Sequence, residues 1–148
     1  MWDQLRGMPA GSWLFGRIIA FAIPYTGSMR ADVREIRPGY ARVELRDRRR
    51  VRNHLRSIHA IALTNLGEFT GGLAMTAAAP ADVRSILTRI EIEFVKKARG
   101  TVIAECTCEL PPVTEPIEHV VRTAVRDAAG AEVARVAATW RLERARSR

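Results

Sequence analysis

The chain has 148 residues, 47% of them hydrophobic and 27% charged, with a formal net charge of +8. Such a length and composition fit one soluble globular domain with a real core, and speak against two ordinary domains, a solenoid or a disordered polymer. Arginine supplies most of the charge, clustered at Arg46, Arg48, Arg49, Arg50 and Arg52 and again from Arg144 to Arg148; a surface of this kind attracts polyanions without choosing among them.

Trp13 to Tyr25 is apolar but is interrupted by Arg17 and closed by Pro24. It falls well short of the roughly 20 apolar residues that span a bilayer. Asp3 and the lack of a small-residue cleavage site argue against a secretory signal. The segment is expected to form a short amphipathic helix lying on the domain, with no membrane span, and Trp13, Leu14, Phe15 and Phe21 as packing residues. Extended structure is then expected from Gly27, with a strand over Ser28 to Arg37 and a turn at Pro38-Gly39. Tyr40 to Asp47 alternates Ala41, Val43 and Leu45 against Arg42, Glu44 and Arg46, which predicts a half-buried strand hairpinned to the first.

A charged loop, Arg48 to Arg56, leads to a long helix expected over Ser57 to Ala78, with Ser57 as N-cap and Pro80 as the stop. Ile58, Ile61, Leu63, Leu66, Phe69, Leu73 and Met75, with many small residues between them, make it apolar nearly all round, so most of its sides should be buried. Four more strands are expected. In Arg84 to Val95, Ile86, Ile90, Ile92 and Phe94 should share a face with Thr88. In Thr101 to Leu110, Val102, Ala104, Cys106, Cys108 and Leu110 should lie together. Ile117 to Asp127 and Ala131 to Leu142 should form a hairpin around Ala128-Ala129-Gly130. The order is an α+β layout, a curved antiparallel sheet wrapped around one long central helix, in a single domain with an N-terminal helical segment over 1–26 and a basic tail over 143–148.

Cys106 and Cys108 would point to the same face of a strand, a geometry unsuited to a disulfide between them, and no second pair supports a zinc site. They read as buried free thiols in a reducing cytoplasm. The one ionisable side chain between His59 and Gly71 is Glu68. A carboxylate in an otherwise apolar helix needs a partner, a shifted pKa or a chemical task. Asn53 precedes His59 by six residues and Glu68 follows it by nine. Imidazole, amide and carboxylate are thus gathered where a loop runs into an apolar helix.

That layout and spacing resemble the hot-dog fold of acyl-CoA thioesterases, from roughly Ser28 to Leu142. The likeness is nearest to the phenylacetyl-CoA type and to an uncharacterised branch sharing the string NHLRSIHAIALTNLGEF. There an asparagine stands six residues before a His-Gly-Gly and a carboxylate nine residues after that histidine. The resemblance implies that Glu68 is the catalytic carboxylate, as nucleophile or as general base toward water. It implies that Asn53 positions water or substrate. The backbone N–H of Ala60 would face the thioester oxygen from the helix N-terminus, and His59 would shape that turn. It further implies a homodimer at least, or a tetramer built from two such dimers, with each site built from the loop of one chain and the helix of the other. No cofactor is implied beyond the coenzyme A moiety of the substrate, whose phosphates Lys96, Lys97 and Arg99 would meet, or else Arg48 to Arg52. His-Gly-Gly has become His59-Ala60-Ile61, glutamate replaces the usual aspartate, and an assisting serine aligns near Leu87, with Thr88 close by. These departures leave a non-catalytic protein that binds acyl-CoA or fatty-acyl ligands as the alternative function. Nucleic-acid binding has no supporting module, the Asp47 and His54 spacing does not suit a hydratase pair, and His54 and His119 read as an exposed loop histidine and a sheet histidine.

Overall fold

A computed structural model describes residues 21–145 together with Gln4, Leu14, Ile18 and Ile19, and a short helix α1 spans Pro24–Ser28. Proline sits at its first turn, where its missing N–H costs nothing. Ile18, Ile19, Phe21 and Ala22 are helical, the helix breaks at Ile23, and Pro24 starts α1, in which Gly27 is helical rather than extended. Of the amphipathic segment expected over Trp13 to Tyr25, Trp13 and Phe15 lie outside the described residues; Phe21, expected to pack, is 90% exposed.

Strands β1 (Asp32–Arg37) and β2 (Tyr40–Leu45) form the expected hairpin. Its turn needs Gly39, at φ +74, because a side chain there would meet the Cys108 carbonyl oxygen at 2.5 Å. A 3₁₀ turn, Arg49–Val51, and a tight loop precede the long helix α2 (Ala60–Ala78). Then follow β3 (Val83–Phe94), β4 (Val102–Thr107), β5 (Ile117–Asp127) and β6 (Glu132–Arg144). All pairings are antiparallel, in the order β1-β2-β4-β5-β6-β3. This is the hot-dog fold, a six-stranded curved sheet holding one long helix.

Glycines let the helix lie close against the sheet. A Cβ on Gly67 would lie 2.3 Å from Val136 Cγ2, and one on Gly71 would lie 3.0 Å from Thr123 Oγ1. Leu63, Leu66, Phe69, Ala74 and Met75 fill the space on either side, against Val33, Val43, Leu45, Val102, Val125 and Leu142 among others. Burial is less complete than the composition implied. Asn65, Glu68 and Gly72 are only half-buried, and Ile61 and Thr76 are exposed. Their spacing of three and four residues makes a single stripe left open in one chain.

Two differences from the expected strands have local causes. A bulge between Leu87 and Arg89 shifts the register of β3 against β6, so residues before and after it change faces. Ile86 pairs with Arg141 on the outer face and is 63% exposed, whereas Ile90 and Ile92 pair with Ala138 and Val136 on the helix face. The expectation that Ile86 shares the face of Ile90 and Ile92 is thereby corrected. The alternation in β4 ends at Thr107, so Cys108 and Leu110 lie beyond the strand, although both still pack on the core.

Candidate functional site

The loop before α2 is held by its own side chains. Asn53 donates its backbone N–H to the Ser57 carbonyl at 2.9 Å. Its carboxamide oxygen accepts from the Leu55 N–H at 2.9 Å, the Ser57 N–H at 3.2 Å and the Ser57 hydroxyl at 3.1 Å. Arg56 takes a left-handed conformation (φ 55) within this turn. The Ile58 N–H docks the loop onto the Ala98 carbonyl at 2.8 Å. Asp47 braces it from behind, accepting from Arg52 Nε at 2.6 Å and from the Gly100 N–H at 2.9 Å. Those two donors hold the Asp47 carboxyl below its ordinary pKa, with Arg52 the larger influence. Asp47 is thus engaged structurally, and the Asn53 oxygen is the hub of the loop. What Asn53 has left to offer a ligand is its NH₂ group.

Ser57 is not the helix cap. The capping residue is His59, extended at φ −63 and ψ 142, whose Nδ1 accepts the Ile61 N–H at 3.0 Å. That bond requires an unprotonated Nδ1 and so leaves Nε2 to carry any proton. The first helical bond runs from the Leu63 N–H to the His59 carbonyl. As the first residue of α2, Ala60 has no carbonyl one turn back within the helix to receive its N–H. A pocket of 210 Å³ lies beside this terminus and brings Asn53, Ala60, Phe94, Lys96 and Lys97 together. Arg99 does not line it, and His59 faces a different hollow of 340 Å³ shared with Arg50, Arg52 and Asn65.

Glu68 stands eight residues along the helix from Ala60, about 12 Å by the helical rise. The structure of one chain therefore does not bring Glu68 to the loop pocket. Its carboxylate makes no hydrogen bond or ion pair among the described residues, and burial alone raises its pKa above the ordinary 4.5. His119, half-buried on β5, is pushed the other way by its own desolvation and so stays neutral near pH 7.

Of the proposed phosphate contacts, Lys96 is tied to Asp127 at 2.6 Å, while Lys97 and Arg99 are exposed and form no ion pair among the described residues. In the upstream arginine cluster, Arg48 donates to the Met29 and Arg30 carbonyls, and Arg46 pairs with Asp32 and Glu44. Much of that charge is therefore structural. Cys106 is buried, with its thiol pushed up to about 12 chiefly by desolvation, and Cys108 is half-buried; both are free. Among the described residues no helix is long and apolar enough to cross a membrane, and no cluster of three His, Cys, Asp or Glu residues is placed to hold a metal ion.

Two residues near Glu68, Gly72 and Trp140, were not singled out from the sequence. A Cβ on Gly72 would lie 3.9 Å from Glu68 Oε1 and 3.5 Å from Trp140 Cζ2. Trp140 Nε1 is buried without a hydrogen-bond partner among the described residues. The signals were present: adjacent glycines within a helix that does not break, and a tryptophan in phase with Val136, Ala138 and Leu142.

A family model described as a domain of unknown function, DUF4442, matches residues 11–142. Solved structures share the fold. A structural-genomics protein is 31% identical over 97% of this chain and 95% of its own, with a TM-score of 0.84. A Pseudomonas aeruginosa protein of unknown function, described as a probable thioesterase, is 21% identical over 93% and 97%, with a TM-score of 0.79. A Haemophilus influenzae thioesterase is 12% identical over 90% of each chain, with a TM-score of 0.76. No curated protein matches the sequence.

Proposed function

The chain belongs to the DUF4442 family, and we propose that it is a thioesterase that hydrolyses acyl-CoA or acyl-carrier thioesters through Glu68. The observation that carries this reading is the half-buried Glu68 carboxylate, without a hydrogen bond or ion pair among the described residues on a helix otherwise free of charge. Such a group costs stability, and a pKa raised by burial above the ordinary carboxylate value suits a general base. The thioesterase-like neighbours support the same class of chemistry.

The second half of the site comes from a partner in this proposal. β3 is an edge strand of 12 residues, paired on one side only with β6, and it exposes Ile86, Ile90 and Phe94. A long apolar edge of this kind calls for a cover. Antiparallel pairing of two β3 strands would join two sheets and bring the loop pocket of one chain toward the open helix stripe of the other. The Ala60 N–H, at the positive end of α2, would then stabilise the oxyanion formed as the carbonyl is attacked. The Asn53 NH₂ would orient substrate or water, while Lys97 and Arg99 would meet the phosphates of coenzyme A.

One observation favours the alternative of a binding protein. His59 occupies the Ile61 N–H, so the helix end has fewer donors to offer than a glycine-rich turn would. Thiol release from a panel of short, long and aromatic acyl-CoAs tests the choice. Turnover of any member supports hydrolysis; saturable binding without release supports the alternative. A monomer by light scattering would contradict the shared site.

A further inference from the structure

The Glu68 carboxylate and the indole edge of Trp140, whose N–H has no partner among the described residues, both lie close to Gly72 on α2. Glu68 Oε1 lies 3.9 Å, and Trp140 Cζ2 and Cη2 lie 3.5 and 3.6 Å, from the point where a Cβ on Gly72 would stand. The indole Nε1 belongs to the same ring edge as Cζ2, is buried, and has no acceptor among the described residues. An indole N–H can only donate and an ionised carboxylate can only accept. A water between them would satisfy both, and a polar niche with complementary partners is where water is held in proteins. Gly72 keeps the niche open. Its two sister glycines differ, because at Gly67 and Gly71 the place of a Cβ is already taken by Val136 and by Thr123 and Val121.

We propose that Trp140 Nε1–H and Glu68 together hold the water that attacks the thioester, with Gly72 reserving its place. This rests on the hydrolytic reading, and on Glu68 acting as general base. The water oxygen forms the new bond to the carbonyl carbon while Glu68 takes its proton. The C–S bond then breaks, and the proton passes from Glu68 to the departing sulfur, leaving a carboxylic acid and a free thiol. Trp140 is a positioning residue: it fixes where the oxygen lies and leaves its lone pair aimed at the substrate.

The experiment compares thiol release by the wild-type protein, Glu68→Gln, Trp140→Phe and Gly72→Ala, with melting curves for each. Trp140→Phe keeps the ring and loses only the donor, so kcat should fall about tenfold with KM nearly unchanged. Gly72→Ala meets only ordinary contacts and should melt at or above the wild-type temperature, yet its methyl fills the niche and kcat should fall about 100-fold. If Glu68→Gln abolishes turnover while both other variants keep wild-type kcat, the water assignment is overturned and the hydrolytic reading stands. A raised KM with unchanged kcat in Gly72→Ala would overturn it too, by giving the space to substrate. A wild-type protein without turnover on any thioester brings down both. Should Trp140→Phe fail to fold, Gly72→Ala decides.

Discussion

Substituting Gly67 by alanine sets two magnitudes against each other. Alanine gains about 1 kcal/mol over glycine in a helix interior. The added methyl, however, would lie 2.3 Å from Val136 Cγ2 and 2.6 Å from Val136 Cβ, distances at which something must move. Val136 has little freedom to do so. It is β-branched, 2% exposed, and held between its cross-strand partners Ile92 and Thr123. The helix must then lift from the sheet, and overpacking of this kind typically costs about 1–3 kcal/mol. Gly67→Ala should therefore be destabilised by up to about 2 kcal/mol on balance, which for a chain of this size lowers the melting temperature by up to about 8 °C. Thermal unfolding followed by circular dichroism measures it, beside Gly72→Ala, which has room for its methyl. A Gly67→Ala protein at least as stable as wild type would refute the claim that bare backbone sets the distance between helix and sheet.

Glu68 carries a raised pKa, so the folded state binds its proton more tightly than the unfolded chain does, and stability falls as pH rises through the folded value. Glu68→Gln should accordingly match the wild type in acid and exceed its denaturation midpoint at pH 7, and equal midpoints at both pH values would contradict this. The acid limb of kcat/KM for thioester hydrolysis should sit above the ordinary carboxylate value of 4.5 and vanish with that substitution. Asp47 has the opposite sign: its lowered pKa stabilises above the ordinary value and is lost as pH falls. Asp47→Ala should loosen the site loop and reduce stability at pH 7 by about 1–3 kcal/mol, read from urea titration, with a smaller difference from wild type in acid. Lys97→Ala with Arg99→Ala should raise KM for acyl-CoA and lower its salt dependence while leaving kcat near wild type; unchanged KM would remove both from the phosphate site.

The fold was legible because hydrophobic period and turn residues agree over most of the chain. β2 alternates without interruption, Pro38-Gly39 marks a turn, and the run up to Ala78, in which Glu68 is the one charge, is too long and too apolar for anything but a central helix. The failures lie where one local contact outweighs the pattern. Ser57 has the chemistry of an N-cap, but Asn53 captures its hydroxyl and His59 caps instead. The β3 alternation reads smoothly through Thr88, because a bulge adds a residue without altering composition.

The candidate site was legible to a different extent. Glu68 stands out as a lone charge, and spacing alone draws attention to Asn53 and His59. The engagement of the Asn53 oxygen by its own loop could not be read from a motif, since asparagine suits turns and ligands equally. Nor could Trp140, which is 72 positions from Glu68 in sequence and meets it only because β6 passes beneath α2. Its unsatisfied N–H is a property of three-dimensional packing that strand periodicity does not encode.

The measurement that bears most directly on thioester hydrolysis through Glu68 is thiol release from the best acyl-CoA of the panel, wild type beside Glu68→Gln, with equal folding verified by circular dichroism. The expected result is turnover by the wild type and loss of at least about 100-fold in the variant. Equal turnover in the two, or release by neither while both bind the thioester, would contradict it.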